Sequence, residues 1–293
     1  MYNQISSNVW RSRGLIAFFL ALIIGLGYLF AQVTDYPEVL PIAVVFAILS
    51  SIGSYYYSDR IVLAMSRARP ATRDEHAHLV NSVEGLALAA GIPAPRIYVI
   101  DDSAPNAFAT GRDPERAVIC VTTGLMDKLN RVELEGVIGH EMAHIRDYDI
   151  RLVTLAAVLA GTVVLISDWL LRSMWWGQGV SRRRRAQGSV VVLPVVLAAA
   201  ILAPLVATLI QLAISRSREY LADAQGAMLT RFPDGLADAL EKIAADTEPL
   251  EVANKATAHM YIANPLKDIG GPLNALFSTH PPVEERVRRL RTM

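Results

Sequence analysis

Four long apolar runs divide the chain: Leu15–Val33, Val39–Tyr57, Leu152–Leu171 and Val190–Ile214. The first two carry no charge, the third holds Asp168 near its end, and the fourth is interrupted by Pro194 and Pro204. A helix rises 1.5 Å per residue, so ~20 residues cross a hydrocarbon layer ~30 Å thick. No polar face interrupts the first two runs, which argues for membrane spans over buried core helices. A second run follows the first so closely that an uncleaved anchor is expected, not a cleaved leader. Arg11 and Arg13 precede the first run, and Arg60, Arg67, Arg69 and Arg73 follow the second. The connector Thr34–Glu38 holds two acids and no base. The positive-inside bias therefore puts the N-terminus and the segment after Tyr57 in the cytoplasm.

Runs three and four lie between polar segments that must meet at one site, so they cross an even number of times. Two crossings are expected. The linker Arg172–Gly188, with Arg182, Arg183, Arg184 and Arg185, would then lie outside, against the usual bias, whereas a re-entrant hairpin would keep it inside. The arginine block itself is expected to be a solvated loop against anionic headgroups. The chain thus divides into a hairpin of membrane helices (1–58), the first part of a polar domain (59–150), a second apolar hairpin (151–214) and the rest of the polar domain (215–293).

Within the polar parts, Leu79, Val83, Leu86 and Leu88 give helical periodicity over Asp74–Ala90, closed by Gly91. Arg96–Ile100 reads as a strand, Asp101–Pro105 as a turn, and Asn106–Thr110 and Ala117–Thr122 as further strands about the turn Gly111–Glu115. Arg131–Ile145, Gly235–Ala245 and Val283–Leu290 read as helices. Helix, strands, then helix is an α+β pattern, mainly helical with a small sheet, combined with about four membrane helices.

Composition narrows the function. The mean hydropathy of +0.32 is too high for an ordinary soluble domain of 293 residues and fits membrane lipid as a partner. Twenty-eight basic side chains balance 28 acidic ones, which argues against a nucleic-acid partner. Cys120 is the one cysteine and excludes an internal disulfide. It sits in the apolar stretch Val118–Val121, so it is expected to be core, not a nucleophile.

The chemistry lies on Arg131–Ile145. His140 and His144 are spaced i, i+4, which puts two imidazoles one turn apart on one face, in reach of one ion. Glu141 stands beside them, able to take a proton from an activated water without being a ligand. A catalytic site needs a third protein ligand. Asp149, Glu219, Asp223, His259 and His280 are the candidates. Glu219 and Asp223 lie one turn apart on a segment that continues helically from the fourth run, so one acid could bind the metal while the other orients a histidine. His76 and His78 are expected to face solvent, and His259 to be structural.

HExxH at His140–His144, the later Glu219–Asp223, the segment Asn106–Gly111 and Thr279–Pro282 together resemble the HtpX family of membrane zinc metalloproteases, with the CaaX prenyl-protein proteases as more distant relatives. The resemblance covers nearly the whole chain. It implies a gluzincin-like fold and one Zn2+ per chain. It makes His140, His144 and Glu219 the ligands, Glu141 the general base, and Asp223, with Asp149 as a second candidate, the acids supporting the ligands. It also implies cleavage of misfolded or damaged membrane proteins at the cytoplasmic face, with polypeptide as substrate and a multi-pass protein of a bacterial or archaeal cell membrane as the setting. Asn106, Ala107, Phe108 and Ala109 resemble the family's edge strand, to which an extended substrate can pair. His280, stiffened by Pro281 and Pro282, is a candidate hydrogen-bond donor to the oxyanion or a cap for the helix at Val283.

The competing class is a channel, transporter or scaffold with a structural zinc. Asp168 is the single ionisable group within the four runs, whereas transport paths need more intramembrane polar groups. A prenyl-processing role is a narrower rival, and four apolar runs are few for a large intramembrane chamber.

Overall fold

The structure, a computed structural model, describes residues 2–34, 36–177, 215–253, 257–265 and 281–293. The fourth apolar run, the arginine block and His280 lie outside them. Three membrane-length helices are described: α1 (Tyr2–Thr34), α2 (Val39–Met65) and α6 (Asp149–Gly177). Only 22% and 17% of the most apolar windows of α1 and α2 are buried, against 56% for α6. Ile42, Leu49, Leu29 and Leu165 are left open on their outer faces, as lipid-facing helices require. Their inner faces close on one another through Leu15, Phe19, Ile23, Ala47, Leu155, Leu159 and Val163.

Helix α1 starts well before the apolar run that announces it. The stretch ahead of Leu15 is helical too, and its polar residues Asn8 and Ser12 fall on the same buried face as Leu15 and Phe19.

The polar parts build a four-stranded sheet with a helical layer. The strands are β1 (Arg69–Pro70), β2 (Arg96–Ile100), β3 (Ala107–Thr110) and β4 (Val118–Thr122), in the order β1-β2-β4-β3. β2 and β4 are parallel; the other pairs are antiparallel. The side chains of β4 alternate between two cores, as strand geometry demands. Ile119 and Val121 join Leu79, Val83, Val137, Ile138 and Leu240 on one face. Val118 and Cys120 join Val62, Phe108, Ala157 and Tyr261 on the other. Cys120 is fully buried, and burial holds its thiol far above the ordinary range, as a core cysteine requires.

The remaining helices are α3 (Ala77–Ala90), α4 (Thr123–Lys128), α5 (Arg131–Arg146), α7 (Arg216–Thr230), α8 (Pro233–Ala245) and α9 (Val283–Leu290). Three differ from the sequence expectation. α7 does not run on helically through Ser215 as expected: Ser215 is extended (φ −150°, ψ 119°) and the helix starts at Arg216. α3 begins at Ala77, not Asp74, because Thr72–Glu75 forms a turn held by the Glu75 amide on Thr72 Oγ1 and by His76 N–H on the Thr72 carbonyl. His76 is correspondingly half-buried, not solvent-facing, while His78 is exposed. The short α4 is capped by the Thr122 hydroxyl, which accepts from Leu125 N–H.

Helix α5 is fixed at its start by a capping box. Asn130 Oδ1 accepts from the amides of Val132 and Glu133, and Glu133 accepts from Asn130 N–H. It crosses α7 at glycines: a Cβ on Gly226 would stand 2.8 Å from His140 N and 3.0 Å from the Gly139 carbonyl carbon. That approach carries Glu219 toward the two histidines. Gly226→Ala is therefore expected to force the helices apart and cost about 1–3 kcal/mol in a thermal or denaturant unfolding measurement. An unchanged midpoint would show that the crossing has slack.

Candidate metal centre

Helix α5 ends at Arg146 and α6 begins at Asp149. Between them Tyr148 takes a left-handed φ of 61°, which breaks the helix and returns Asp149 over the last turn of α5. His144 Nδ1 then lies 3.0 Å from Asp149 Oδ2. On the other imidazole, His140 Nδ1 lies 2.9 Å from Asp223 Oδ1 of α7. Each Nδ1–H can thus be donated to a carboxylate, which leaves Nε2 as the nitrogen each ring can offer a metal.

The two Nε2 atoms face one point. His140 Nε2 and His144 Nε2 are 3.1 Å apart. Glu219 reaches both from the first turn of α7, with Oε1 3.6 Å from His144 Nε2 and Oε2 3.8 Å from His140 Nε2. Ligands ~2.0–2.2 Å from a tetrahedral ion stand about 3.3 Å from one another, so this donor set needs only a small approach of Glu219 to close on a metal ion. Of the two acids that helical spacing left open, Glu219 faces the metal point and Asp223, one turn on, faces the back of a histidine. Asp149 does not join the donor set; it sits behind His144. Among the described residues, His140, His144 and Glu219 form the one group placed to hold an ion.

Glu141 projects from the same helix into a small, partly open cavity lined by Ala109, His140, His144, Glu219, His259 and Tyr261. It is buried, and burial pushes its carboxyl up, more than the two imidazoles pull it down; Glu219 adds to the rise and a hydrogen bond from the Ala109 amide opposes it. His259 is also buried at this cavity, with Nε2 3.3 Å from the Val153 carbonyl.

Burial would lower the pKa of His144, but Asp149 and the charges of Glu219 and Glu141 outweigh it and push it up to about 9. Below that pH the metal-free ring carries a proton that a metal must displace. Titrating zinc into metal-free protein at pH 7 is therefore expected to release about one proton from His144, and apparent affinity should rise about tenfold per pH unit up to about pH 9. A pH-independent affinity between pH 6 and 8 would contradict this.

The buried acid Asp223 needs compensation, and Arg286 of α9 supplies it. Its Nε and Nη2 grip the two Asp223 oxygens at 2.9 and 2.7 Å, and Nη1 donates to the Ile262 carbonyl at 3.1 Å. Burial alone would raise Asp223; the Arg286 guanidinium outweighs it and holds the carboxylate well below its usual range. The sequence reading missed Arg286. Its one signal is that it shares a helical face with Val283, Val287 and the buried Leu290.

β3 is an edge strand, and Ala109 at its end lines the cavity. The Asn106–Ala107 end is engaged by the chain itself. Ile262 N–H donates to the Ala107 carbonyl at 2.9 Å, and Asn106 Nδ2 donates to the Ala263 carbonyl at 3.1 Å. Phe108 points to the opposite face, edge-on to Tyr261. Of the four expected substrate contacts, Ala109 alone meets the cavity.

The model of peptidase family M48 matches residues 73–293. The chain is 49% identical over 296 residues to a "Protease HtpX homolog" of Dictyoglomus turgidum, covering all of this chain and 94% of that one. The chain belongs to the HtpX group of peptidase family M48. HtpX homologs of Thermococcus sibiricus (45%, covering 97% and 95%) and Ligilactobacillus salivarius (43%, covering all of both) agree. Among solved structures, S. mikatae Ste24p matches with a TM-score of 0.50 at 21% identity, over 96% of this chain and 66% of that one, a likeness of fold. M48 membership makes the chain a metalloprotease, and its three described membrane-length helices make it a membrane protein.

Proposed function

We propose that the chain is a zinc-dependent endopeptidase that cleaves membrane-protein segments at the cytoplasmic face. The observation that carries it is the convergence of two Nε2 atoms and the Glu219 carboxylate, with both Nδ1 atoms held by carboxylates. His140, His144 and Glu219 would hold the ion. Zinc in such a site supplies Lewis acidity toward a water and a peptide carbonyl. Glu141, made more basic by burial, takes the proton from the attacking water and passes it to the leaving amine. The Ala109 amide keeps that carboxylate aimed into the cavity. An extended substrate would pair at the β3 edge beside Ala109, the part of the strand that lines the cavity.

The test is cleavage of an unfolded membrane protein by purified, reconstituted enzyme, with a chelator arm and zinc add-back. Loss under chelator and recovery with zinc is expected; full activity after exhaustive chelation would refute the zinc reading.

Position argues for the substrate class. Asp149, which bonds His144, is the first residue of α6 and of its candidate membrane span, so the cavity opens where a span begins. A bilayer-tethered peptide is expected to be cut at least tenfold faster than its untethered counterpart in liposomes, through its raised local concentration. Equal rates would remove the preference for emerging segments.

A further inference from the structure

Asn8 belongs to α1, a helix whose composition marks it as an anchor. Yet its amide is buried at the back of the metal centre. Asn8 Nδ2 donates to Asp149 Oδ1 at 2.6 Å and to the Asp147 carbonyl at 2.9 Å. Asp149 spends its other oxygen on His144 Nδ1. Arg218, next to Glu219, donates to the same Asp149 Oδ1 at 3.1 Å and lies 3.4 Å from Asn8 Oδ1. One amide therefore ties α1 to the break after α5 and to the start of α7, the elements that deliver His144 and Glu219.

We infer that Asn8 is a positioning residue for the metal centre, so that the membrane helix α1 completes the shell that orients His144. This rests on the proposed metal site. An Asp–His pair fixes ring rotation only while the acid itself is held, and a direct partner of a ligand, as Asp149 is of His144, sets metal affinity about 10–100-fold. Asp149 has two holders, Asn8 and Arg218. Arg218 supplies charge from α7; Asn8 supplies a donor from the membrane bundle. Removing the amide leaves Asp149 free to swing toward Arg218 and away from His144. The consequence for function is that docking of α1 and competence of the site are one event.

The test uses full-length protein in lipid vesicles, loaded with Zn2+ or Co2+. Asn8→Ala is expected to speed zinc release to a chromogenic chelator about tenfold and to shift the Co2+ d–d absorption envelope. Asn8→Asp, the same size but facing Asp149 with a like charge, should do more. Ser12→Ala is the control: Ser12 is buried one turn on, and among the described residues its hydroxyl bonds only α1's own Asn8 carbonyl. It should match wild type. Wild-type release and an unshifted band in both Asn8 variants would overturn the inference, as would an equal effect of Ser12→Ala. Wild-type protein that takes up neither metal would sink the metal reading and the inference with it, an outcome distinct from silent Asn8 variants on a metal-bound wild type.

Discussion

Glu141→Gln is expected to keep the metal and lose cleavage, with kcat down about 10²–10⁴-fold. The amide is isosteric, and its oxygen can still accept from Ala109 N–H, so packing in the cavity is preserved. None of the ligand-side contacts involves Glu141: both Nδ1 atoms are held by Asp223 and Asp149, and the facing nitrogens meet Glu219. What goes is the ability to take a proton. Parallel metal analysis and cleavage assays separate the two. Cleavage within threefold of wild type would exclude Glu141 as the base, and loss of metal with activity would mean the residue supports the site instead.

Arg286→Ala is expected to cost about 3–5 kcal/mol of stability, because it strands a carboxylate in a buried setting. Asp223 is among the most buried acids here, and Arg286 holds both of its oxygens. A stranded Asp223 turns protonated and stops fixing the His140 ring, so metal retention falls with stability. Arg286→Lys should recover only part, since an ammonium cannot grip both oxygens in parallel. Thermal unfolding with and without zinc measures both effects. A change of less than about 0.5 kcal/mol in Arg286→Ala would show that the pair contributes nothing net.

The legible part of this site was the local part. His140, Glu141 and His144 are set by helical period alone, and the capping box at Asn130 marks where that helix starts. Glu219 and Asp223 were legible as a pair because they too share a helical face, but spacing could not say which meets the metal. The crossing angle of α5 and α7 decides it, and that depends on glycine contacts between Gly139 and Gly226. Asp149 was visible as a weak candidate because the left-handed Tyr148 that folds it back leaves no pattern in composition. Arg286 and Asn8 were hidden, since each acts through a partner 63 or 141 positions away. Arg286 sits among charged neighbours typical of a solvated face, and Asn8 lies in a polar stretch ahead of an apolar run, with no periodicity of its own. The fold followed the same division: β2, β4, α5, α8 and α9 match their periodicity, whereas two-residue β1 and six-residue α4 are too short to have any.

The most direct measurement is metal content per chain in the purified, detergent-solubilised protein, compared between wild type and Glu219→Ala. One zinc in the parent and a small fraction of that in the variant is the expected pair of values. A parent devoid of metal, or a variant that holds zinc as tightly as the parent, would contradict the convergence of His140, His144 and Glu219 on one ion.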